Sequence, residues 1–263
     1  MRNKFIIIII IIIIIITALS NCTLYQYADD TLLLTRHLSY PKAMETLQHC
    51  SNELMDWFNQ NLITINITKT KLVCFHNPLK VVSLNIPLYL HTSHCSPCYC
   101  NEVPYSDTVK YLGIHFDSDL SWNSHLTKLC AKLRSIPCLL YNTKAFMPFI
   151  LRKRVAYALA YSNLRYGITI FGKCSKLWQK KINSVLKGIL RSVGYNCGFS
   201  DLDLFQALSM PTFQSLFLKT VVLKYNWNDD FKSPRPISRN LRKASRFLTP
   251  ICYTRYGKNM RSY

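Results

Sequence analysis

The first short apolar runs of the chain suit β-strands. Cys22–Tyr27 and Thr31–Thr35 combine aromatic, aliphatic and β-branched residues over lengths typical of strands. They flank the stretch Ala28-Asp29-Asp30, whose composition is typical of a tight turn. The sequence therefore predicts a β-hairpin at this point.

A helix is expected directly after this hairpin. Ser39 is a candidate N-cap, and Pro41 suits the first turn of a helix that ends near Asn59. Apolar residues recur with the spacing of one helical face at the following positions: Met44, Leu47, Leu54, Trp57 and Phe58. We expect both Trp57 and the later Trp122 to be core aromatics.

The remaining pattern predicts an α+β fold. In the first half we expect a connecting turn or strand at 62–65, a buried strand at 72–75, strands at 81–90 and 109–116, and a loop over 91–106. From Trp122 the period becomes helical, with helices expected at 124–141, 148–161, 175–193 and 211–225. This predicts an α+β domain over 22–120, a basic helical region over 121–230 and a basic, weakly ordered tail over 231–263.

Residues 1–21 form a separate segment in this scheme, because Phe5 is followed by an unbroken isoleucine run, Ile6–Ile16. Basic residues before the run and small residues after it match the anatomy of a signal peptide, and the run is short for a membrane span of about 20 residues. Two interpretations stay open: translated low-complexity sequence, or a signal or anchor. A membrane is an expected partner only in the second case.

Charge narrows the expected partners. The net charge of +20 favours a polyanion, with nucleic acid first and an anionic membrane second. Residues 121–200 hold 14 Lys and Arg and no Asp or Glu. A solvated helical surface normally mixes both signs, because opposite charges at i,i+4 stabilise helices. We therefore favour a nucleic-acid-facing surface over a merely soluble basic one.

The 11 cysteines show no spacing typical of a disulfide framework. Buried free thiols in a reducing compartment are the simpler interpretation, and those in apolar or helical contexts are Cys50, Cys74, Cys130 and Cys138.

One cluster is rich in zinc ligands. Cys95 and Cys98 form a Cys-x2-Cys pair. His91, His94 or Cys100 could complete a four-ligand site, although such a local site is cramped. The alternative is a variable loop without metal.

Asp29 and Asp30 invite a catalytic interpretation, because adjacent carboxylates between apolar strands are costly unless something compensates them. Mg²⁺ binds one or two carboxylates together with substrate phosphates, and two-metal phosphoryl transfer relies on clustered carboxylates. Tyr27 beside the pair offers a stacking or hydrogen-bonding surface. The structural alternative is that Asp is simply common in turns.

Three motifs in order resemble the reverse transcriptases of non-LTR (LINE-type, Jockey-like) retrotransposons. The tetrad Tyr27–Asp30 resembles their catalytic hairpin, and Leu62–Thr70 with Leu72–Phe75 resembles the L-x-x-x-N-x-x-K-T segment that follows it. Val109–Ile114 resembles their primer grip, and the basic helices after it resemble their thumb. The primer-grip likeness extends to three further residues: Asp117, Leu120 and Trp122.

This resemblance implies a partial polymerase palm, an antiparallel hairpin sheet with a packed helix, followed by a helical thumb. Asp29 and Asp30 would then be catalytic metal ligands for Mg²⁺, and Tyr27 would lie near the primer terminus or incoming nucleotide. Lys69 would approach the dNTP triphosphate, the alternative being an ordinary surface lysine.

The resemblance also implies contacts with an RNA template and DNA primer duplex. Leu112 and Gly113 would help to position the primer, the alternative being a simple β-turn or bulge. The implied nucleic-acid-binding residues of the primer grip and thumb are Lys110, Tyr111, Leu112, Gly113, Lys128, Lys132, Arg134, Arg152, Lys153 and Arg154.

The palm of this family needs another Asp on an earlier strand, but no acidic residue precedes Asp29. The fingers and the first half of the palm are therefore expected to be missing, which leaves the hairpin without sheet neighbours and its strand edges exposed. We expect an N-terminally truncated reverse transcriptase, inactive alone and nuclear or cytoplasmic by family. Alternatives are a nucleic-acid-binding protein without catalysis, or a secreted or membrane-anchored basic protein.

Overall fold

The computed structural model describes the backbone of residues 5–12 and, with side chains, residues 22–27, 30–76, 84–92, 94–95, 100–194 and 204–224. The chain divides into two compact units, residues 1–124 and 125–263. The first unit combines strands with one long helix, and the described part of the second is helical. The predicted α+β class is confirmed.

The first unit is built on a four-stranded antiparallel sheet in the order β2-β3-β1-β4. The strands are β1 Phe5–Ile12, β2 Thr23–Tyr27, β3 Asp30–His37 and β4 Lys71–Phe75. β2 and β3 form the predicted hairpin, in which Tyr27 pairs with Asp30. The turn residues Ala28 and Asp29 lie outside the described residues. The strand predicted at 72–75 is also confirmed.

β1 gives this hairpin a neighbour that the sequence did not predict. Ile8 in the middle of β1 pairs with Leu34 of β3 on one side and Val73 of β4 on the other. The expectation that the hairpin lacks sheet neighbours is therefore wrong for β3. Isoleucine is β-branched and suits a pleated sheet, so the apolar run provides an inner strand. Within the described residues, no helix has the length and apolar character to cross a membrane.

One face of the sheet is covered by the predicted helix, α1 Tyr40–Gln60. Its apolar positions pack against Leu33 of β3, and Trp57 lies partly buried at the edge of this core. The buried members from α1 are Tyr40, Ala43, Met44, Leu47, Cys50, Leu54 and Phe58. Burial of a large apolar side chain, such as Leu47 or Phe58, contributes about 1.5–3 kcal/mol.

The start of α1 differs in one detail from the expectation. Ser39 occupies the N-cap position, but its side chain makes no capping hydrogen bond. Its backbone N–H donates instead to Nδ1 of His37 at 3.0 Å. Pro41 lies in the first turn as predicted. The helix therefore begins with proline geometry and a histidine acceptor rather than with a serine cap.

A disulfide joins Cys22, just before β2, to Cys50 of α1. The expectation of a free thiol at Cys50 is wrong, because its partner is 28 residues distant and helical spacing cannot reveal it. Cys74, Cys130 and Cys138 are free as predicted, although Cys138 is exposed rather than buried.

The other face of the sheet carries a second hairpin, β5 Thr108–Tyr111 and β6 Ile114–Asp117. The single strand predicted over 109–116 is wrong, because the chain reverses at Leu112 and Gly113, whose φ angles are 46° and 78°. Two successive residues with positive φ suit the twist of a two-residue hairpin turn. Leucine in this conformation costs about 1–2 kcal/mol, so an apolar residue conceals the turn in the sequence.

Residues 84–92 form no regular strand, and the strand predicted at 81–90 is wrong over its described part. The segment is held by Gln48 of α1 instead of by a strand ladder. The Gln48 side-chain amide donates to the carbonyl of Tyr89 at 2.7 Å and accepts from its N–H at 2.9 Å. A side-chain amide thus satisfies both backbone groups of one loop residue.

A buried carboxylate ends the second hairpin. Asp117 is 6% exposed, and its Oδ2 accepts from the Ser121 hydroxyl at 3.0 Å and the Ser124 N–H at 3.3 Å. Leu120 and Trp122 adopt positive φ angles of 53° and 65° in this turn. Trp122 is buried, which confirms it as a core aromatic. The residues that extend the primer-grip motif therefore shape the entry into the next helix.

The second unit consists mainly of helices, and α2 begins at the boundary. The helices are α2 Asn123–Arg134, α3 Ile136–Asn142, α4 Phe149–Arg165, α5 Ile168–Phe171, α6 Lys176–Val193, α7 Leu204–Ala207 and α8 Phe213–Tyr225. The single helix predicted at 124–141 is wrong, because Pro137 lies in a new first turn and separates α2 from α3. The other three predicted helices are confirmed, and 231–263 lies outside the described residues.

The helices of this unit share an apolar core that polar bonds fix at its edge. The Tyr161 hydroxyl donates to the carbonyl of Pro211 at 2.7 Å, and Asn183 Oδ1 accepts from the Phe213 N–H at 2.9 Å. These bonds tie α4 and α6 to the start of α8. Prominent buried residues of this core are Leu126, Leu133, Ala160, Leu164, Phe171, Ile182, Leu186, Leu190 and Phe213.

Candidate functional site

Asp30 opens β3 at the turn end of the first hairpin. It is half-buried and pairs with Tyr27 of β2 and with Ile12 of β1. Tyr25 and Tyr27 are 52% and 66% exposed, so an aromatic surface lines the edge of the sheet beside Asp30. Asp29 lies outside the described residues, and the metal-ligand roles of both aspartates stay predictions.

Strand alternation determines which face Asp30 shares. Residues 30 and 32 project to the same face, where Leu32 packs with Val73 of β4 and Val109 of β5. Tyr111 belongs to the partly buried rim of that cluster. The pKa of the Tyr111 hydroxyl is raised, first by burial and second by the negative charge of Asp30, which disfavours a tyrosinate nearby. The predicted metal ligand and the predicted primer-grip tyrosine therefore lie on the same face of the sheet.

The second hairpin presents two chemically different sides. Lys110 is exposed, whereas its neighbour Tyr111 is half-buried towards the sheet. The turn at Leu112 and Gly113 is the β-turn alternative considered from the sequence, and its backbone geometry is compatible with a primer-positioning role. That role stays a prediction for all four residues.

Lys69 ends a short 3₁₀ helix, Ile67–Lys69, immediately before β4. Asn66 caps this turn: its Oδ1 accepts from the Lys69 N–H at 3.3 Å and from the Thr68 hydroxyl at 2.6 Å. The Asn66 carbonyl accepts from the Thr70 hydroxyl at 3.0 Å. The motif N-x-x-K-T thus has a local structural reason, which is to fix how the chain enters β4.

The register of the sheet shows where that entry lies. Ile10 of β1 pairs with both Lys71 of β4 and Leu32 of β3, so the beginning of β4 and the beginning of β3 lie at the same end of the sheet. Lys69 is exposed at this end, on the side of β1 opposite to Asp30. A contact between Lys69 and a triphosphate stays a prediction.

The strand beside Asp30 supplies no further carboxylate. β1 contains only phenylalanine and isoleucine, and Ile12 pairs directly with Asp30. The residue paired with Asp30 therefore carries no carboxylate, and the described donor set is short of the oxygen ligands that Mg²⁺ prefers.

The predicted basic residues of the second unit differ in exposure. Lys128, Lys132 and Arg134 of α2 are exposed, and so is Arg154 of α4. Arg152 and Lys153 are half-buried, and Nε of Arg152 is buried without a hydrogen-bond partner. Four of the six side chains are therefore open to solvent, and their contacts with nucleic acid stay predictions.

A groove that the sequence did not predict lies between α6 and the α2–α3 turn. It has a volume of about 310 Å³ and is lined by Arg134, Pro137, Lys181, Ser184, Val185 and Gly188. The positive charges of Arg134 and Lys181 both act on the Cys130 thiol, whose pKa is nevertheless raised because burial outweighs them. The shortage of acids over 121–200 signalled a basic surface, but not that two helices place these cations together.

The predicted zinc cluster is only partly described. The Sγ atoms of Cys95 and Cys100 are 3.6 Å apart, and His91 stacks on Tyr89. Cys98 lies outside the described residues. The zinc site at this loop stays a prediction.

Comparisons with known proteins bear directly on this arrangement. Residues 5–116 match the family model "Reverse transcriptase (RNA-dependent DNA polymerase)". This match supports a reverse transcriptase fragment over residues 5–116. The matched range includes the isoleucine strand β1, the first hairpin, α1 and all of the second hairpin except Asp117. The resemblance inferred from the motifs is confirmed.

The reverse transcriptase segment also has a curated relative. The chain is 23% identical over 175 residues to a "Probable RNA-directed DNA polymerase from transposon X-element" of Drosophila melanogaster. The alignment covers 65% of this chain and 18% of that protein. This supports a reverse transcriptase of the non-LTR retrotransposon type, and the chain spans about a fifth of its relative's length. No solved structure gives a significant match.

Proposed function

We propose that the chain contributes the catalytic hairpin, the primer grip and the thumb of an RNA-directed DNA polymerase. The observation that carries this proposal is that the second hairpin packs on the face of the sheet that Asp30 shares with Leu32, because a polymerase needs its metal-binding carboxylate on the same side as the primer end. The exposed tyrosines beside Asp30 supply flat surfaces for bases or sugars. Reverse transcriptases generally depend on a divalent metal, and Mg²⁺ is the ion we expect here.

The chain alone is expected to bind Mg²⁺ weakly. Asp30, with Asp29 beside it, supplies carboxylate oxygens, but Ile12 opposite Asp30 supplies none. A two-metal centre needs enough oxygen ligands to hold both ions. We therefore expect no templated nucleotide addition by the isolated chain.

The second unit is proposed to hold the duplex through its phosphates. Exposed Lys and Arg side chains on α2 and α4, and the groove between Arg134 and Lys181, offer positive charge without competing acids over 121–200. Phosphate contacts position a duplex but do not select its sequence. Binding should therefore tolerate any sequence and weaken as salt rises.

Fluorescence anisotropy with a labelled DNA primer on an RNA template tests this proposal. Lys110→Gln on the second hairpin should lower the slope of log affinity against log salt by about 1. Lys42→Gln is the matched control, because Lys42 is an exposed lysine of α1, on the face of the sheet away from Asp30. Equal slopes for the parent chain and Lys110→Gln would contradict a contact between the second hairpin and the duplex.

A second function, nucleic-acid binding without catalysis, is favoured by the apolar residue opposite Asp30. Under this alternative, duplex binding survives Asp29→Ala with Asp30→Ala, and Mg²⁺ has no effect on affinity. Under the first proposal, Mg²⁺ tightens duplex binding by the parent chain but not by the double variant. A primer-extension assay with dNTPs and Mg²⁺ completes the test; clear incorporation by the isolated chain would overturn the expected inactivity.

A further inference from the structure

A cluster of metal-ligating side chains lies on α1, on the face of the sheet away from Asp30. His49 Nδ1, Cys50 Sγ and a carboxylate oxygen of Glu53 all lie within 4.8 Å of one another. Cys22 joins them from the start of β2, because its sulfur is bonded to that of Cys50. Two sulfurs, one imidazole and one carboxylate therefore converge at the place where β2 meets α1.

We propose that, when the Cys22–Cys50 disulfide is reduced, these four side chains bind a structural Zn²⁺ ion. Zinc in structural sites takes four ligands, and thiolate, imidazole and carboxylate are its usual donors. Tetrahedral zinc places neighbouring ligand atoms about 3.3–3.8 Å apart, as follows from metal–ligand distances of about 2.0–2.3 Å. The His49 Nδ1–Glu53 Oε1 distance is already 3.5 Å.

The two ligands on the solvent side of this site, His49 and Glu53, can adjust their side-chain positions to bind an ion. His49 and Glu53 are 65% and 41% exposed, so their side chains can close on an ion without disturbing the core. Cys50 is fully buried beneath them and fixes the inner side of the site. The spacing His-Cys-x-x-Glu on one helix, with a distant cysteine, differs from the common short-spaced pairs, which is why the sequence did not reveal it.

Replacement of the Cys22–Cys50 disulfide by a zinc ion requires two electrons and releases two protons. A two-electron reductant such as a phosphine converts the disulfide to two thiols and is itself oxidised. Zn²⁺ then binds both sulfurs as thiolates, and two protons leave to solvent. Cys74, Cys130, Cys138 and Cys174 are free thiols, so a reducing environment is consistent with the rest of the described chain. The ion then ties β2, the strand that leads to Asp30, to α1.

The test uses the full chain, reduced with a phosphine or left oxidised, and titrated with Co²⁺ as a spectroscopic probe before Zn²⁺ displacement. The reduced chain should bind one ion with thiolate-to-cobalt absorbance, and the oxidised chain should not. Glu53→Gln and His49→Ala change exposed residues, so both should fold. Each should weaken Zn²⁺ binding at least about tenfold, the lower end of what loss of even an outer-shell partner costs.

Two controls separate this site from other thiols. Cys138→Ser removes an exposed free thiol and should leave Zn²⁺ affinity unchanged. Cys95→Ser with Cys100→Ser removes the loop cluster and should also leave the absorbance in place. The proposal is overturned if Glu53→Gln and His49→Ala bind as tightly as the parent, or if the loop variant abolishes the signal. Neither result touches the duplex-binding proposal, which is measured separately.

Discussion

The two units concentrate their chemistry in different ways. In the first, a few residues from distant parts of the sequence share one face of a sheet, as Asp30 and Tyr111 do. In the second, positive charge is spread over several helix surfaces. Individual cations such as Lys128 and Arg154 are exposed, and each offers the same kind of contact to a phosphate. The first unit should therefore respond to the exact position of a substitution, and the second to the number of charges removed.

Adjacent substitutions in β1 give the largest expected contrast within the first unit. Ile11→Asp places a carboxylate opposite Thr31, which is fully buried on the α1 side, and should cost about 3–5 kcal/mol as an uncompensated buried charge. Ile12→Asp places it opposite half-buried Asp30 and should cost less. Mg²⁺ should restore stability to Ile12→Asp only. Urea denaturation followed by circular dichroism measures both; equal losses without a Mg²⁺ response would contradict the assigned faces.

The second unit should respond additively. Replacing Lys128, Lys132 and Arg134 together by Gln should lower the salt slope of duplex binding by about 3, because each phosphate contact contributes about 1. Any single replacement should give about a third of that effect. Anisotropy titrations over a range of salt concentrations measure the slope. A single replacement that abolishes binding would show that this unit, too, relies on one position.

Replacing one glycine by alanine in each unit should change the free energy of unfolding in opposite directions. Gly113→Ala puts a Cβ on a residue with φ of 78° and should destabilise the chain by about 1–2 kcal/mol. Gly188→Ala lies within α6, where an added Cβ has no atom within 4 Å, and should stabilise it by about 1 kcal/mol. Urea midpoints of the two variants test both signs. A gain in stability for Gly113→Ala would show that the turn is not left-handed.

The smallest effect isolates the electrostatic influence of Asp30 on Tyr111. Asp30→Asn removes the negative charge and should lower the raised pKa of Tyr111, although burial keeps it above the ordinary value. The tyrosinate absorbance, compared with that of Tyr111→Phe, reports this residue in an alkaline titration. An unchanged pKa would mean that the two side chains are not close in solution.

Helices and strands with clear apolar spacing and typical capping residues could be predicted from the sequence. Turns and breaks that lack their usual residues could not. The hairpin of β2 and β3, α1 and three of the helices followed from spacing and capping residues. The turn at Leu112 stayed only an alternative to a continuous strand, because a leucine occupies a conformation that usually selects glycine or asparagine. The break before α3 escaped because apolar spacing continues across Pro137.

The candidate site was predictable in its residues but not in its geometry. Asp30, Lys69 and Tyr111 stand out through motifs along the chain. Their arrangement depends on pairings between distant segments, which one sequence does not contain. The Cys22–Cys50 bond and the pairing of Arg134 with Lys181 across a groove belong to the same class of long-range contact. The identity of single functional residues could therefore be predicted from the sequence, but which of them lie together in space could not.

The isoleucine strand has a consequence for the uniqueness of the fold. In most strands a slip by one residue turns the apolar set to the wrong face, and this penalty selects one alignment. In β1 a slip exchanges isoleucine for isoleucine at nearly every paired position, so amino-acid order gives little preference among neighbouring alignments. Several nearly degenerate alignments share one property: the residue opposite Asp30 is always isoleucine. A shift in the register of β1 therefore leaves an apolar residue opposite Asp30. A single carboxylate in the isoleucine run would also make one register more stable than its neighbours.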